Sequence, residues 1–223
     1  MGAVGGAGAS TTAALAAAGL ARRVRGVALV DADPGHGGLE VLLGSERQPG
    51  ARWPDLGDVR APIDVTDLAG VLPRWRGVEV LSADRRGGVP AAAAEPVLES
   101  LAAARDVVVV DLPGHRLVSP DPFATGLVES ASDVVLVTGQ DVLGVCGGLM
   151  IRDEVGKRAA LVLRGRRHGV APAEAAAVLG LRQLALLPED RRIAAAVDVG
   201  LGPRPGPRHA RAISKLCRAL DGG

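Results

Sequence analysis

Lysine and aromatic residues are scarce in this 223-residue chain. Lys157 and Lys215 are its only lysines, so arginine supplies nearly all of the 26 basic side chains, which balance 25 acidic ones to a formal net charge of +1. The aromatic residues are Trp53, Trp75 and Phe123, so the core must consist of Val, Leu and Ala. The chain therefore offers no platform for stacking bases, and its near-neutral charge predicts no specific nucleic-acid partner.

Cysteine and long apolar runs are scarce as well. Cys146 and Cys217 lie far apart without metal-ligand spacing, which argues against a disulfide framework or a zinc site and favours a reducing cytoplasm. Cys146 is expected to be a small buried residue of a helix. No uncharged apolar stretch reaches the ~20 residues of a membrane span, and no signal peptide precedes the first residues. We therefore expect a cytoplasmic protein.

Glycine, in contrast, is concentrated at the start of the chain. Residues 2–12 read GAVGGAGASTT, and residues 13–20 form an Ala/Leu-rich run with strong helix propensity. A glycine-rich turn at a helix N-terminus directs several backbone N–H groups to one point, where the helix dipole adds positive potential. A hydroxyl of Ser10 or Thr11 is placed to ligate Mg2+. The segment predicts a phosphate-binding loop.

Ala9 takes the place of the phosphate-binding lysine when this segment is aligned with the pattern G-x-x-x-x-G-K-[ST]. Gly8 and Ser10 fit the positions on either side. Because the whole chain is rich in Gly and Ala, the same string is also compatible with an ordinary helix cap. A phosphate loop needs a buried strand before it, yet only Met1 precedes Gly2. We expect a truncated start rather than a sheet without its first, central strand, because the latter exposes two edges.

Short apolar runs alternate with helical patterns along the rest of the chain. Runs typical of buried parallel strands lie at residues 26–31, 78–82, 106–111, 133–138, 159–163 and 184–187. Helical patterns lie near residues 95–104, 145–155, 172–178 and 208–220. This alternation predicts an α/β fold with a mostly parallel β-sheet flanked by helices on both faces.

Two further segments are interpreted from their composition. Residues 48–67 are rich in Pro, Asp and Arg, which predicts a surface insertion. Residues 208–220 place basic side chains on one stripe and apolar ones on another. We expect this last helix to pack on the sheet with a solvated basic face, although a membrane-surface role is an alternative.

Carboxylates end two of the predicted strands. Asp31 and Asp111 close the runs at 26–31 and 106–111, and Asp33 follows in the next loop. The carboxyl ends of parallel strands are where α/β folds collect ligands, so these side chains are candidates for a site. Pro188 and Glu189 form a turn after the last strand run. Each of these residues is also compatible with an ordinary turn.

Taken together, the loop, Asp31, Asp33, Asp111 and the turn at 188–190 resemble the MinD/ParA family of deviant Walker P-loop ATPases. The similarity is greatest to the CpaE/TadZ branch and its actinobacterial CpaE-like, septum site-determining group. The resemblance extends from Gly2 to about residue 220. It implies a MinD-like P-loop NTPase fold in which residues 1–223 form a single domain, with an upstream receiver-like domain absent from this chain.

The resemblance also implies a site for two cofactors, ATP and Mg2+. Ser10 would ligate Mg2+ directly, and Asp111 would hold it through a water. Asp31 would be a carboxylate near the metal, and Asp33 would orient the attacking water. Pro188 and Glu189 would flank the base. The phosphates would contact the deviant Walker A loop, residues Gly5, Gly6, Ala7, Gly8, Ala9, Ser10 and Thr11.

Two departures from the family pattern bear on activity. Val4 stands where the family's second lysine reaches across a dimer, and Ala9 stands where the phosphate lysine lies. Electrostatic stabilisation of the transferring phosphoryl group carries most of this chemistry, so we expect at most a weak ATPase. The implied function is spatial regulation of septum placement in cell division, or of Tad-type pilus and secretion assembly. The family also implies a homodimer with division or pilus proteins as partners, recruited from the cytoplasm to the membrane at a pole or septum.

Two other interpretations remain open at this point. A pseudo-ATPase scaffold would share the fold and the localisation role but bind no nucleotide, which the two missing lysines favour. A Rossmann NAD-binding oxidoreductase is the other alternative, because Gly6 and Gly8 begin G-x-G-x-x-G and Asp31 stands near the distance of a ribose-binding carboxylate. Thr11 occupies the third glycine position, and nothing proposes a hydride-transfer residue.

Overall fold

The computed structural model describes residues 1–221 apart from 34–37, 65, 66, 68, 69, 119, 120 and 157. The chain divides into two compact units. Unit 1 comprises Met1–Thr12, Leu112–Arg191 and Pro205–Gly223, and unit 2 comprises Ala13–Asp111 and Arg192–Arg204.

Seven strands and a series of helices alternate along the described ranges. The strands are β1 (Val27–Asp31), β2 (Arg74–Trp75), β3 (Val78–Leu81), β4 (Val107–Asp111), β5 (Val135–Gly139), β6 (Ala160–Arg164) and β7 (Arg182–Leu187). The helices are α1 (Ala9–Leu20), α2 (Gly38–Leu43), α3 (Ala91–Ala104), α4 (His115–Val118), α5 (Pro122–Ser130), α6 (Val142–Val155), α7 (Pro172–Leu179), α8 (Arg191–Asp198) and α9 (Pro207–Asp221). A 3-10 helix spans Trp53–Leu56. Each predicted strand run coincides with an observed strand, to within two residues at either end.

Unit 2 contains a four-stranded sheet in the order β2-β3-β1-β4. β1 is parallel to both β3 and β4, and their register places Asp31 directly opposite Asp111. β2 is a two-residue antiparallel edge strand. The tight turn that joins it to β3 has Arg76 at φ 49°, a left-handed conformation that is uncommon outside glycine. The predicted mostly parallel α/β arrangement is confirmed in this unit.

The core of unit 2 is built around an indole. Trp53 is fully buried in a cluster with Ala28, Val30, Leu81 and Leu101. The prediction that residues 48–67 form a surface insertion is therefore wrong for this part of the segment. The physical reason is that a chain with so few aromatic residues uses this large apolar ring to fill the space beside β1, which Val and Ala side chains leave open.

A buried ion pair anchors the same segment. The Arg52 guanidinium lies 2.9 Å from the Glu40 carboxylate, and both side chains are almost completely buried. Arg52 also donates hydrogen bonds to the backbone carbonyls of Ser45 and Gly50. These bonds satisfy a buried charge that would otherwise be costly, and they fix the path of the chain between α2 and the 3-10 helix.

Unit 1 contains a parallel three-stranded sheet in the order β5-β6-β7. No strand precedes α1 in the described N-terminal residues, but Gly2 makes isolated parallel bridges to Pro113 and Val137. Val137 N–H donates to the Met1 carbonyl and Ala3 N–H donates to the Val137 carbonyl, at 2.8 and 2.9 Å. The first residues therefore pair with β5 immediately before the loop.

The last helix packs as predicted. In α9, Ile213, Leu216 and Cys217 are buried, and the helix contacts β7. The basic side chains are exposed on the opposite side: Arg208, Arg211, Lys215 and Arg218. None of the described helices is long and apolar enough to cross a membrane.

Candidate functional site

The glycine-rich loop forms a compact turn that leads directly into α1. Gly6 and Gly8 have φ values of 75° and 80°, in the left-handed region that glycine adopts without steric cost. Ala7 N–H donates to the Val4 carbonyl over 3.1 Å and closes the first half of the turn. The sequence needs glycine at these two positions because side chains with a Cβ are strained there.

The helix that follows presents its N-terminus to the loop. α1 begins at Ala9, and both the backbone N–H and the Oγ1 hydroxyl of Thr12 donate to the Gly8 carbonyl, at 2.9 and 2.8 Å. Ser10 and Thr11 lie in the first turn and are half-buried. First-turn N–H groups have no partner within their own helix, so they are available to an anion at the positive end of the dipole.

An arginine from β6 lies on this loop. Arg164 Nη1 donates to the Gly6 carbonyl over 3.0 Å, although 158 residues separate the two in sequence. A Cβ atom on Gly8 would lie 2.7 Å from Arg164 Nη1, so the guanidinium also lies directly beside Gly8. Sequence reasoning missed this residue. The available signal was a charge at the end of an apolar strand run, which places it at the carboxyl edge of the sheet.

The two positions that lack lysine carry small apolar side chains. Val4 lies against α6, since a Cβ atom on Gly147 would overlap Val4 Cγ1. Ala9 is the first residue of α1 and is half-buried. The loop itself therefore contains no basic side chain, and Arg164 is a basic group that contacts it through a hydrogen bond.

Asp31 and Asp111 form a carboxylate pair at the ends of β1 and β4 in unit 2. Both are almost completely buried. Asp31 Oδ1 accepts a hydrogen bond from Asp33 N–H at 2.9 Å, and its Oδ2 accepts one from Leu39 N–H at 3.0 Å. The structure therefore brings the three predicted carboxylate residues together. Residues 34–37 of the intervening loop lie outside the described residues.

Burial dominates the electrostatics of this pair. It raises the pKa of Asp31 from 3.8 to about 6, and the nearby charges of Asp111 and Asp33 raise it further. The hydrogen bonds from Asp33 and Leu39 lower the pKa and offset part of that rise. Two close buried carboxylates repel each other, and a cation between or beside them relieves that repulsion.

The donor set fits Mg2+ rather than a transition metal. The carboxylate oxygens of the pair in unit 2 are hard ligands, and Mg2+ is commonly held by one or two carboxylates with waters and substrate phosphates completing the shell. Within the described ranges there is no cluster of three or more His, Cys, Asp or Glu side chains that could hold a metal ion.

The turn after β7 is tied to α9 within unit 1. His209 Nδ1 hydrogen-bonds to the Pro188 carbonyl over 2.9 Å, and Gly206 N–H donates to Asp190 at 2.5 Å. His209 is buried, and its Nε2 has no hydrogen-bond partner in the part of the chain that the structure describes. These contacts hold Pro188 and Glu189 in a defined position at the end of the strand.

Comparison with solved structures shows the fold. The chain superposes on the septum site-determining protein MinD complexed with Mg-ADP from Pyrococcus horikoshii with a TM-score of 0.73 and 22% sequence identity. This match covers 98% of this chain and 92% of the MinD chain. A ParA family ATPase from Chlorobium tepidum gives a TM-score of 0.77 and 17% sequence identity, with 98% of this chain and 96% of the ATPase covered. A chain of the MinC:MinD cell division protein complex of Aquifex aeolicus gives a TM-score of 0.76 and 18% sequence identity, with 99% of this chain and 93% of that chain covered.

Comparison with curated sequences finds relatives in Mycobacterium tuberculosis. Uncharacterized protein Rv3660c of strain H37Rv and uncharacterized protein MT3760 of strain CDC 1551 are each 35% identical to this chain over 201 residues. The alignments cover 88% of this chain and 55% of each relative, so the chain spans about half the length of the curated relatives it matches. No protein-family model matches the chain. The solved structures thus show that the fold is that of the MinD/ParA P-loop ATPases.

Proposed function

We propose that this chain, which has the MinD/ParA P-loop ATPase fold, is a nucleotide-binding spatial regulator of the CpaE-like kind. It would act in the cytoplasm, or at the membrane of a pole or septum, in septum placement or in Tad-type pilus and secretion assembly. Residues 1–223 would serve as one nucleotide-binding domain. The observation that carries the proposal is the loop itself, with two left-handed glycines, Gly6 and Gly8, immediately before the N-terminus of α1.

The proposed ligand is ATP with Mg2+. The backbone N–H groups of residues 5–11 would bind the phosphates, and the Ser10 hydroxyl would ligate the metal. Asp31 and Asp111 would supply carboxylates to Mg2+, and Asp33 would orient a water. Pro188 and Glu189 would contact the base. The P. horikoshii MinD structure, which contains Mg-ADP, supports this choice of cofactor through its shared fold.

Hydrolysis should be slow or absent in this chain. A lysine on the transferring phosphoryl group stabilises the charge that develops in the transition state, and removal of such a group costs orders of magnitude in rate. Val4 and Ala9 provide no charge at the two lysine positions. ATP would then act as a bound signal rather than as a substrate turned over rapidly.

A homodimer is proposed as the active assembly. α6 carries an exposed apolar stripe, defined by Val142, Leu143, Cys146 and Met150, and the exposed fractions of Leu143 and Met150 are 78% and 69%. The expectation that Cys146 is buried is wrong, because it lies on this outward face of α6. Spacings of three or four residues place the stripe on one side of the helix. Contiguous apolar surface of this kind is typical of protein interfaces.

Titration calorimetry with ATP and Mg2+ tests the nucleotide proposal. We expect a dissociation constant on the order of micromolar, which corresponds to about 8 kcal/mol of binding free energy. Ser10→Ala and Asp111→Ala should weaken Mg-ATP binding more than they weaken ATP binding in EDTA. Ser130→Ala, a matched hydroxyl deletion at the end of α5, should leave both unchanged, because among the described residues its Oγ donates only to carbonyls of its own helix.

The missing lysines favour one rival function, a pseudo-ATPase scaffold. Such a protein would keep the fold and the α6 stripe but bind no nucleotide. Saturation with ATP, ADP and NAD would each give no heat in the same calorimetric experiment, while self-association by the stripe would persist without ligand. That combination would replace the proposed switch with a constitutive scaffold.

A further inference from the structure

The phosphate loop lacks its usual cation, and a residue distant in sequence lies in position to replace it. We propose that Arg164 supplies the phosphate-binding positive charge that Ala9 does not, so that the site accepts a nucleoside di- or triphosphate through an arginine from β6. This inference rests on the proposed nucleotide-binding function and identifies the group that holds the phosphates. Three features of unit 1 carry it.

The first feature is placement. Arg164 is the last residue of β6, where its backbone pairs with Gly139 of β5 and Leu187 of β7. Gln140 N–H donates to the Arg164 carbonyl over 2.9 Å. The residues before the loop pair with Val137 of β5, next to β6 in the same sheet. The loop and the arginine therefore follow parallel segments that lie on either side of β5, at the carboxyl edge of the sheet, where α/β folds bind ligands.

The second feature is contact. Arg164 Nη1 lies 3.0 Å from the Gly6 carbonyl oxygen and donates to it. Beside Gly8, a Cβ atom would lie 2.7 Å from Nη1 and 2.9 Å from Cδ of the same side chain. Gly8 precedes Ala9, the position that carries lysine in the loop pattern. The guanidinium thus reaches the residue adjacent to the missing lysine and is held there by the loop backbone.

The third feature is the unused hydrogen-bonding capacity of Arg164. A guanidinium has five N–H donors, and among the described residues Arg164 uses its Nη1 group on the Gly6 carbonyl and forms no ion pair. Arg166, two residues later, is instead 3.0 Å from the Asp141 carboxylate. An exposed guanidinium without a carboxylate, fixed on a loop that presents N–H groups, offers a planar pair of donors to phosphate oxygens.

The experiment compares Arg164→Ala and Arg164→Lys with wild type in the full chain. Arg166→Ala is the matched control, because it removes the same charge two residues away. Binding of Mg-ATP, pyrophosphate and adenosine is measured by calorimetry, and circular-dichroism melting verifies folding. Loss of a charge-assisted hydrogen bond predicts about 10- to 100-fold weaker binding of ATP and pyrophosphate by Arg164→Ala. Arg164→Lys should fall between wild type and Arg164→Ala, and adenosine binding should not change.

The outcomes separate this inference from the function on which it rests. Equal or tighter ATP binding by Arg164→Ala, with wild type binding ATP, overturns the role of Arg164 and leaves the nucleotide function standing. Pyrophosphate binding that requires Arg164, without ATP binding, supports the anion role and overturns the nucleotide function. A wild-type protein that binds neither ligand overturns both. An equal loss in Arg166→Ala shows general charge rather than a specific contact, and also overturns the inference.

Discussion

The indole Nε1 of Trp53 donates a hydrogen bond of 2.7 Å to the backbone carbonyl of Asp31. Both residues are buried, so neither group has an alternative partner in bulk water. The bond fixes the end of β1 at the residue whose carboxylate we propose to act near Mg2+. A residue from a Pro- and Arg-rich connection therefore supports the candidate site from inside the core of unit 2.

Trp53→Phe is predicted to destabilise the protein by more than the loss of ring volume explains. Phenylalanine keeps an aromatic ring in the core but leaves the Asp31 carbonyl without its donor, which costs about 1–3 kcal/mol. Trp75→Phe is the matched control, because Trp75 is also buried and its indole has no hydrogen bond to the described residues. Urea unfolding followed by circular dichroism gives both values. Equal free-energy losses in the two variants would show that the hydrogen bond contributes nothing.

Gly8→Ala is predicted to destabilise the loop by about 1–2 kcal/mol, because an alanine is strained at a φ of 80°. The new Cβ would also displace Arg164, which lies 2.7 Å from its position. Gly5→Ala is the control, since its φ is not in the left-handed region and no atom lies within 4 Å of its added Cβ. Thermal and urea unfolding of the two variants should therefore differ. Similar stabilities would indicate that Gly8 does not require its left-handed conformation.

The contribution of Asp31 to the stability of the metal-free protein should fall as pH rises from about 4 to about 6. Burial raises the pKa of Asp31 to about 6 in the folded state, against 3.8 for the ordinary group. Between these values the folded state binds more protons than the unfolded state, so unfolding becomes easier as pH rises and stays so above 6. The contribution is about 1–3 kcal/mol, given 1.36 kcal/mol per unit of pKa.

Asp31→Asn isolates this effect because it removes the titrating group. The free energy of unfolding of wild type minus that of Asp31→Asn should decrease across the same pH window when measured in EDTA. Asp55 titrates in a different range: its pKa is lowered to about 2, with the hydrogen bond from Arg86 as the largest cause. If the difference in free energy of unfolding between wild type and Asp31→Asn is constant or increases between pH 4 and 6, the pKa of Asp31 is not raised in the folded state.

Val142→Glu is predicted to prevent the proposed homodimer. A charge on the apolar stripe is desolvated on association, which is costly when no partner charge is present. Val199→Glu is the matched control, because Val142 and Val199 are 67% and 68% exposed and Val199 does not lie on α6. Analytical ultracentrifugation with Mg-ATP compares the three proteins. Dimers of Val142→Glu as stable as those of wild type would exclude the α6 stripe as the interface.

Strand positions and the edge at which the carboxylates lie were predictable from the sequence. Each strand is a short apolar run, and parallel strands end at one edge, which places Asp31 and Asp111 at the same edge. The pairing of β1 with β4, which puts the two residues opposite each other, was not predicted. The loop and the helix after it were equally accessible, because glycine and Ala/Leu runs have strong local preferences. These features were predictable because each depends on residues that are close together in the sequence.

Contacts between distant residues were not predictable in this way. Arg164 meets Gly6 only after β5 and β6 pair, and Trp53 fills a space that exists only once β1 and β3 have formed. The composition of residues 48–67 indicated exposure because Pro, Asp and Arg are usually solvated. Arg52 is an exception to this tendency, because it is buried and its charge is paired with Glu40 and hydrogen-bonded to nearby backbone carbonyls. Tertiary pairing overrides composition at these positions.

Diffraction from crystals grown with Mg2+ and a non-hydrolysable ATP analogue tests the central claim most directly. The account predicts density for the β- and γ-phosphates against the backbone N–H groups of residues 5–11, with the Ser10 hydroxyl on the metal. The Arg164 guanidinium should lie within hydrogen-bond distance of a phosphate oxygen. A loop that stays empty at saturating Mg-nucleotide, or a nucleotide bound elsewhere on the chain, would contradict the account.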